Sequence, residues 1–208
     1  MQTKDNYALA AEDARKRFLT YDLSKIICKS PVTTDEDFLY LPVLDRTCRV
    51  EKSTGRMAWS SPGGWEETAA FQDVLTIFDY LCDGKENRRP TGEMKSMAFF
   101  GKLFHSSLLE GERASALELR IDQNPENFRR ACLQMGGTPF PTGDLAYTFS
   151  LFPDLELTAQ FWFSDEDFPP RLRYLWDSSA NDFIRYETMY YALGIFRDRL
   201  SFWLDSYR

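Results

Sequence analysis

The chain has 208 residues, a formal net charge of −7 at pH 7, and 15% aromatic residues. That length suits one globular domain, which buries roughly 70% of its unfolded surface, and the aromatic content argues against disorder. The negative charge excludes a general nucleic-acid role, which needs a basic face for the phosphate backbone, and no run of about 18 apolar residues is available for a membrane span.

Met1 to Asn6 is polar and has no apolar segment behind it, so no signal peptide is expected and a reducing cytoplasm is the default location. Tyr7 to Phe18 predicts a helix: Tyr7, Ala11, Ala14 and Phe18 recur at helical steps, with Lys16 and Arg17 near the negative end. Phe38 to Leu44 is a short apolar run broken by Pro42, which has no N–H for a ladder and points to an edge strand. Cys48 to Lys52 and Arg56 to Trp59 flank Ser53-Thr54-Gly55, and a glycine free to take positive φ there predicts a hairpin.

Ser60-Ser61-Pro62-Gly63-Gly64 reads as a loop in front of a helix from Glu66 to Cys82. Its stripe is Phe71, Val74, Phe78 and Leu81, with Glu66 and Glu67 at the positive end and Gly84 as the cap. Lys85 to Glu93 reads as an exposed polar connection. A short helix is expected around Phe99 to Leu108, and another from Pro125 to Met135, with proline in its first turn and Gly136-Gly137 stopping it. Thr138 to Asp144 reads as a rigid loop.

The stretch from Gly143 to Leu204 organises the rest. Leu145, Tyr147, Phe149 and Leu151 alternate with small and polar residues; Pro153-Asp154 turns the chain; Leu155, Leu157, Ala159, Phe161 and Phe163 alternate again. Two alternating runs joined by a tight turn predict an antiparallel hairpin. Leu172, Tyr174 and Trp176 supply a third strand paired with the second. Beyond a turn cluster from Asp177 to Asp182 the period becomes helical: Tyr186, Met189, Leu193, Phe196, Leu200 and Trp203 share one face, which is expected to cover the hairpin.

Several residues are candidates for chemistry. Asp165, Glu166 and Asp167 place three carboxylates in one proline-closed loop, suited either to Mg²⁺ or Ca²⁺ or to acid–base work; the alternative is a solvated hairpin connection pairing with Arg171 or Arg173. Phe168 is expected to anchor that loop in the core. Gly63 and Gly64, beside Trp65, form the better of two glycine-rich anion candidates, because they precede the expected helix. Gly136-Gly137 follows one and reads as a plain cap. Trp162 points away from Phe161 and Phe163, either under the middle helices or on a binding surface. His105 is the single histidine, with no nucleophile elbow to use it. Cys28, Cys48, Cys82 and Cys132 are far apart and read as ordinary thiols, since zinc and iron–sulfur sites show close pairs.

Trp59 to Cys82, Arg89-Pro90-Thr91-Gly92, Gly136-Gly137, Gly143-Asp144, Trp162 with Asp165-Glu166-Asp167-Phe168-Pro169, and Trp176-Asp177-Ser178-Ser179-Ala180 with the final helix carry a resemblance across nearly the whole chain. The chain resembles the prokaryotic family termed domain of unknown function 3786. The resemblance implies no agreed activity. It implies that some relatives carry an added iron–sulfur domain with close cysteine pairs; this chain has no such pairs and no zinc motif, so no cofactor is assigned.

The expected fold is α+β, an antiparallel sheet of one or two hairpins with helices mainly on one face. The expected organisation is a single domain over 1–208, with a small N-terminal lobe over 1–60 as the one subdivision. The expected role is a cytoplasmic binding or accessory module, with no general nucleic-acid partner and no membrane. Two alternatives stand beside it: a metal-assisted enzyme using Asp165, Glu166 and Asp167, and a protein-partner-binding domain using the Trp162 face. No catalytic residue is assigned.

Overall fold

The structure, a computed structural model, describes residues 6–101 and 114–207. It is α+β, with two antiparallel sheets of five strands each. The first is a meander in chain order: β1 Thr33–Thr34, β2 Phe38–Val43, β3 Arg46–Glu51, β4 Met57–Ser61 and β5 Gly64–Thr68. The second is built from β6 Met94–Ser96, β7 Thr138–Pro139, β8 Leu145–Phe152, β9 Leu155–Trp162 and β10 Arg171–Asp177, in the order β6-β10-β9-β8-β7. The helices are α1 Asn6–Leu19, α2 Leu23–Lys29, α3 Phe71–Phe78, α4 Met97–Phe100, α5 Ala116–Gln123, α6 Pro125–Gln134, α7 Ala180–Phe183 and α8 Tyr186–Asp205. A π-helical turn, Asp79–Asp83, extends α3. No described helix is long and apolar enough to cross a membrane.

The alternating runs of the second sheet do what their period requires. Phe161 stands opposite both Leu145 and Leu172, Ala159 opposite Tyr147 and Tyr174, and Leu157 opposite Phe149 and Trp176. This puts one apolar face under two helices. Phe196 of α8 meets Phe149 at 4.8 Å and Tyr174 at 5.8 Å between ring centroids, and Phe128 of α6 meets Tyr147 and Phe161 edge-on or tilted. Such pairs add about 0.5–1.5 kcal/mol each beyond their area.

In the first sheet, Pro42 faces Thr47 of β3 on one side, and two-residue β1 ends before reaching it on the other. The missing N–H therefore breaks no ladder bond. The hairpin about Ser53-Thr54-Gly55 forms with Cys48 opposite Trp59 and Val50 opposite Met57, and Gly55 takes φ +67°. The two sheets are tied where the Leu44 N–H donates to the Leu151 carbonyl at 3.2 Å, and their buried residues belong to one apolar cluster.

Four local expectations change. The helix expected from Glu66 begins only at Phe71; Glu66 and Glu67 lie instead in β5, opposite Trp59 and Ala58. Strand pairing with β4 overrides the favourable placing of acids at a helix start. Consequently Gly63 and Gly64 form a hairpin tip in front of a strand, with no helix terminus behind them. Phe168 is 70% exposed and does not anchor its loop. Within the polar run Lys85 to Glu93, Arg88 is buried. Of the helix expected over Phe99 to Leu108, α4 supplies the first residues; the remainder and His105 lie outside the described residues.

Candidate functional site

Two polar constellations stand out, and they are built differently. The first surrounds the π turn. A π turn widens the helix and frees carbonyls, and here cationic side chains receive them: Arg88 Nη1 donates to the Tyr80 carbonyl at 2.9 Å, and Lys29 Nζ donates to the carbonyls of Cys82 at 2.8 Å and Gly84 at 2.9 Å. The Arg88 guanidinium lies 4.1 Å from the Tyr80 ring centroid and 5.0 Å from that of Phe183, and its side chain is 1% exposed. Nη2 donates to Ser30 Oγ, and Nε lies 3.4 Å from Asp154 Oδ2. Gly84 is required beside it, because a Cβ there would lie 2.0 Å from Arg88 Nη1 and 2.9 Å from the Phe183 carbonyl oxygen.

Carboxylates in this region are matched too. Asp79, fully buried, accepts from the Arg185 backbone N–H at 2.7 Å and from Arg185 Nε at 2.8 Å. Burial nevertheless raises its pKa above the ordinary value, against the pull of Thr188 and Arg185. Asp177, also inaccessible, accepts from the backbone N–H groups of Thr91, Gly92 and Ser179 and from the hydroxyls of Thr91 and Ser179. Burial pushes its pKa up, but these donors outweigh burial and hold it below the ordinary value. This is how a fold satisfies interior charge.

The second constellation is a cleft of about 530 Å³ between the β2–β3 turn, the tip of the β4–β5 hairpin, and the C-terminal ends of α6 and α8. That volume is in the range of small-molecule sites. A two-residue hairpin turn needs positive φ, and non-glycine Leu44 supplies it at +53°. Its N–H bond to the Leu151 carbonyl and its packing on the core hold it there. The turn presents Asp45 to α8. Asp45 Oδ2 accepts from Trp203 Nε1 at 2.8 Å, and both Asp45 oxygens accept from Arg199 Nε at 2.8 Å. Arg199 is therefore neutralised, and it also lies over the rings of Phe202 and Trp203.

Arg46, the next residue, has the Asp45 and Asp73 carboxylates near enough to favour its charge but makes no direct pair with either. Its guanidinium lies 4.5 Å from the Trp59 ring centroid. Trp59 is held in turn by Asp73, whose Oδ2 accepts from Trp59 Nε1 at 2.8 Å and from Thr68 Oγ1 at 2.7 Å. Among the described residues, no acceptor receives an Arg46 hydrogen bond and no carboxylate lies within ion-pair distance of it. Burial, and then the Arg199 guanidinium, push its pKa below the ordinary arginine value. An incoming anion would relieve both pressures. Ser60, Ser61, Pro62, Glu66 and Gln134 complete the lining.

The residues singled out from sequence are dispersed. Gly63 and Gly64 are exposed at the hairpin tip that borders the cleft, with nothing within 4 Å of an added Cβ. Trp65, 39% exposed, turns to the outer face of the first sheet, where Arg49 lies 4.6 Å from its ring centroid and 4.8 Å from that of Phe38. Trp162 is half-buried on the second sheet, with the Arg173 guanidinium 5.3 Å from its ring centroid. In the acidic loop, Asp165 Oδ1 accepts from the N–H groups of Asp167 and Phe168, which is an Asx turn; Glu166 and Asp167 are exposed. No group of three or more His, Cys, Asp or Glu residues suited to a metal ion is found among the described residues. The four cysteines are free thiols; burial pushes Cys82 up to about 12 and Cys48 and Cys132 above their ordinary values, so these three behave as apolar groups and not as nucleophiles.

Asp45, Arg46, Glu66, Arg199 and Trp203 were not visible as a site in sequence. They come from three separated segments, and each reads locally as an ordinary turn, strand or helix-end residue. The one local signal is Leu44-Asp45 between two apolar strand segments, a tight-turn position without glycine.

The family model described as domain of unknown function (DUF3786) matches residues 22–199, and the chain belongs to this family. The match includes Asp45, Arg46, Glu66 and Arg199 of the cleft. Neither a curated protein nor a solved structure matches the chain.

Proposed function

We propose that the protein is a binding module, a single domain working in the cytoplasm, and that its ligand seat is the cleft at Arg46. The observation that carries this reading is an arginine lying against Trp59 beside a second, neutralised arginine, with no side-chain hydrogen-bond acceptor of its own among the described residues. Guanidinium groups fixed in this way suit a planar or tetrahedral oxyanion, to which they present a rigid fork of donors. Free thiols fit the reducing compartment. In this reading Asp165 shapes its own loop, and the acidic loop holds no cation.

Native mass spectrometry of protein purified without chelators tests the proposal. The expected result is an added mass that disappears on denaturation and is absent from Arg46→Gln. An added mass retained by Arg46→Gln but lost when Asp165, Glu166 and Asp167 become Asn, Gln and Asn would favour the metal-assisted alternative. A second reading, a protein-partner surface near Trp162, has one observation in its favour: Phe168, 70% exposed, sits on the connection that follows it. That reading predicts a bare monomer mass and a loss of partner capture in Phe168→Ser.

A further inference from the structure

Four of the residues lining the cleft carry full charges: Asp45, Arg46, Glu66 and Arg199. Asp45 and Arg199 neutralise each other through the hydrogen bonds described above. That leaves one cation, Arg46, and one anion, Glu66, both turned to the same cleft. Glu66, like Arg46, has no hydrogen-bond or ion-pair partner among the described residues. They do not pair with each other, although opposite charges on one face of a sheet commonly do so.

Their spacing explains this. Trp59 on β4 stands between them: it is opposite both Cys48 of β3 and Glu66 of β5, and Arg46 lies two residues from Cys48 on the same face. Arg46 and Glu66 are therefore two strands apart, roughly 10 Å laterally at the usual inter-strand distance. The buried Trp59 ring lies in that gap, with the Arg46 guanidinium against it. The remaining lining is apolar at Pro62, Phe202 and Trp203, with Phe202 49% exposed, hydroxylic at Ser60 and Ser61, and an amide at Gln134.

From this arrangement we infer that the cleft takes a small zwitterion of amino-acid or short-peptide type: a carboxylate on Arg46, an α-ammonium on Glu66, and an apolar side chain against Phe202 and Trp203. This rests on the reading of the cleft as the ligand seat. A simple anion would leave Glu66 facing its negative charge across the cleft, and a simple cation would meet the unpaired Arg46. A ligand carrying both charges satisfies both walls, so specificity comes from rejecting either half alone.

Isothermal titration calorimetry with defined probes tests the inference. The panel is L-phenylalanine, L-leucine and the dipeptide Leu-Leu, each beside its N-acetylated form, which keeps only the anion, and its amide, which keeps only the cation. At least one zwitterion should bind, with both blocked forms weaker by tenfold or more. Binding by the free amino acids or by the dipeptide tells which source the cleft fits. Glu66→Gln should erase the preference over the N-acetyl form, and Arg46→Gln the preference over the amide. N-acetyl forms binding as tightly as the parents, with dependence on Arg46, would overturn the zwitterion and leave the cleft as an anion seat. No binding by any probe, with the native added mass indifferent to Arg46→Gln, would overturn both readings. The blocked-probe comparison is made on the unaltered protein, so it stands even if a variant fails to fold.

Discussion

Arg88 and Arg46 both lie against aromatic rings, and they differ in what receives their protons. Arg88 is sealed between Tyr80 and Phe183, donates to a carbonyl and a hydroxyl, and forms an ion pair with the Asp154 carboxylate. Arg46 lies on one ring, faces a cleft, and donates to no described residue. The same side chain therefore serves two ends. Where a cation is enclosed and partnered, it joins elements: Arg88 connects the end of α2, the π turn, the β8–β9 turn and α7. Where it is half-enclosed and unpartnered, as at Arg46, its donors remain available, which is the basis of the proposed ligand seat.

The contrast can be broken most forcefully at Arg88. Arg88→Met removes the charge but leaves Ser30 and the Tyr80 carbonyl without it in a buried place, and half-buried Asp154 without its ion pair. The expected loss is about 3–5 kcal/mol, the range for breaking a buried pair from one side, read by urea denaturation. A variant of wild-type stability would show that Arg88 joins nothing. Asp177→Asn comes next. It weakens a carboxylate that five donors address, and about 1–3 kcal/mol should be lost at neutral pH.

The same residue makes a pH prediction. Because the folded pKa of Asp177 lies below its ordinary 3.8, the stability it contributes is complete above that value and is lost as pH falls through the lower, folded one. The melting temperature of the wild type should therefore drop in the acid range below about pH 4, and the drop should be shallower in Asp177→Asn. An identical acid limb in both proteins would place the responsible carboxylates elsewhere.

Smaller effects sharpen the other side of the comparison. Arg46→Gln forfeits only its contact with Trp59, so stability should change by about 0.5–1 kcal/mol, while ligand retention should be lost. A large destabilisation would mean that Arg46 is structural after all. The smallest effect is expected at Asp165→Asn. Asparagine keeps the oxygen that accepts from Asp167 and Phe168, so melting should move by less than about 0.5 kcal/mol, with no response to added Mg²⁺ or Ca²⁺.

Much of the fold was legible because its period was strict. The β8–β9 hairpin, β10 and α8 each carry a recognisable apolar face, but burial extends beyond it: Ala146, Thr158 and Gln160 on the opposite side of the hairpin are buried as well. Where a segment has no buried face, the pattern fails. β5 is an edge strand whose first four residues are exposed, so only its pairing with β4 makes it a strand, and two glutamates before an apolar run look like a helix start. Seven-residue α2 buries only Ile26, and periodicity misses it. The same reading passes over α5, although Ser115 and Glu118, three apart, form a capping box that the sequence displays.

The polar interior was hidden for a related reason. Arg88 sits in a run of charged and polar residues that has every local mark of a surface connection; what buries it is aromatic rings from two other elements. The cleft is harder still. Its charges are separated by up to 154 positions, as between Asp45 and Arg199, and no local pattern shows that they meet. The acidic loop, conspicuous in sequence, is occupied with its own backbone.

The most direct measurement compares the two arginines by NMR, following their Nε–Hε signals while a zwitterionic probe is added. Arg88 should exchange slowly and stay unmoved, whereas Arg46 should exchange quickly in the free protein, then shift and become protected as the probe saturates. An Arg46 signal that is already protected and does not respond, or an Arg88 signal that responds in its place, would contradict the account.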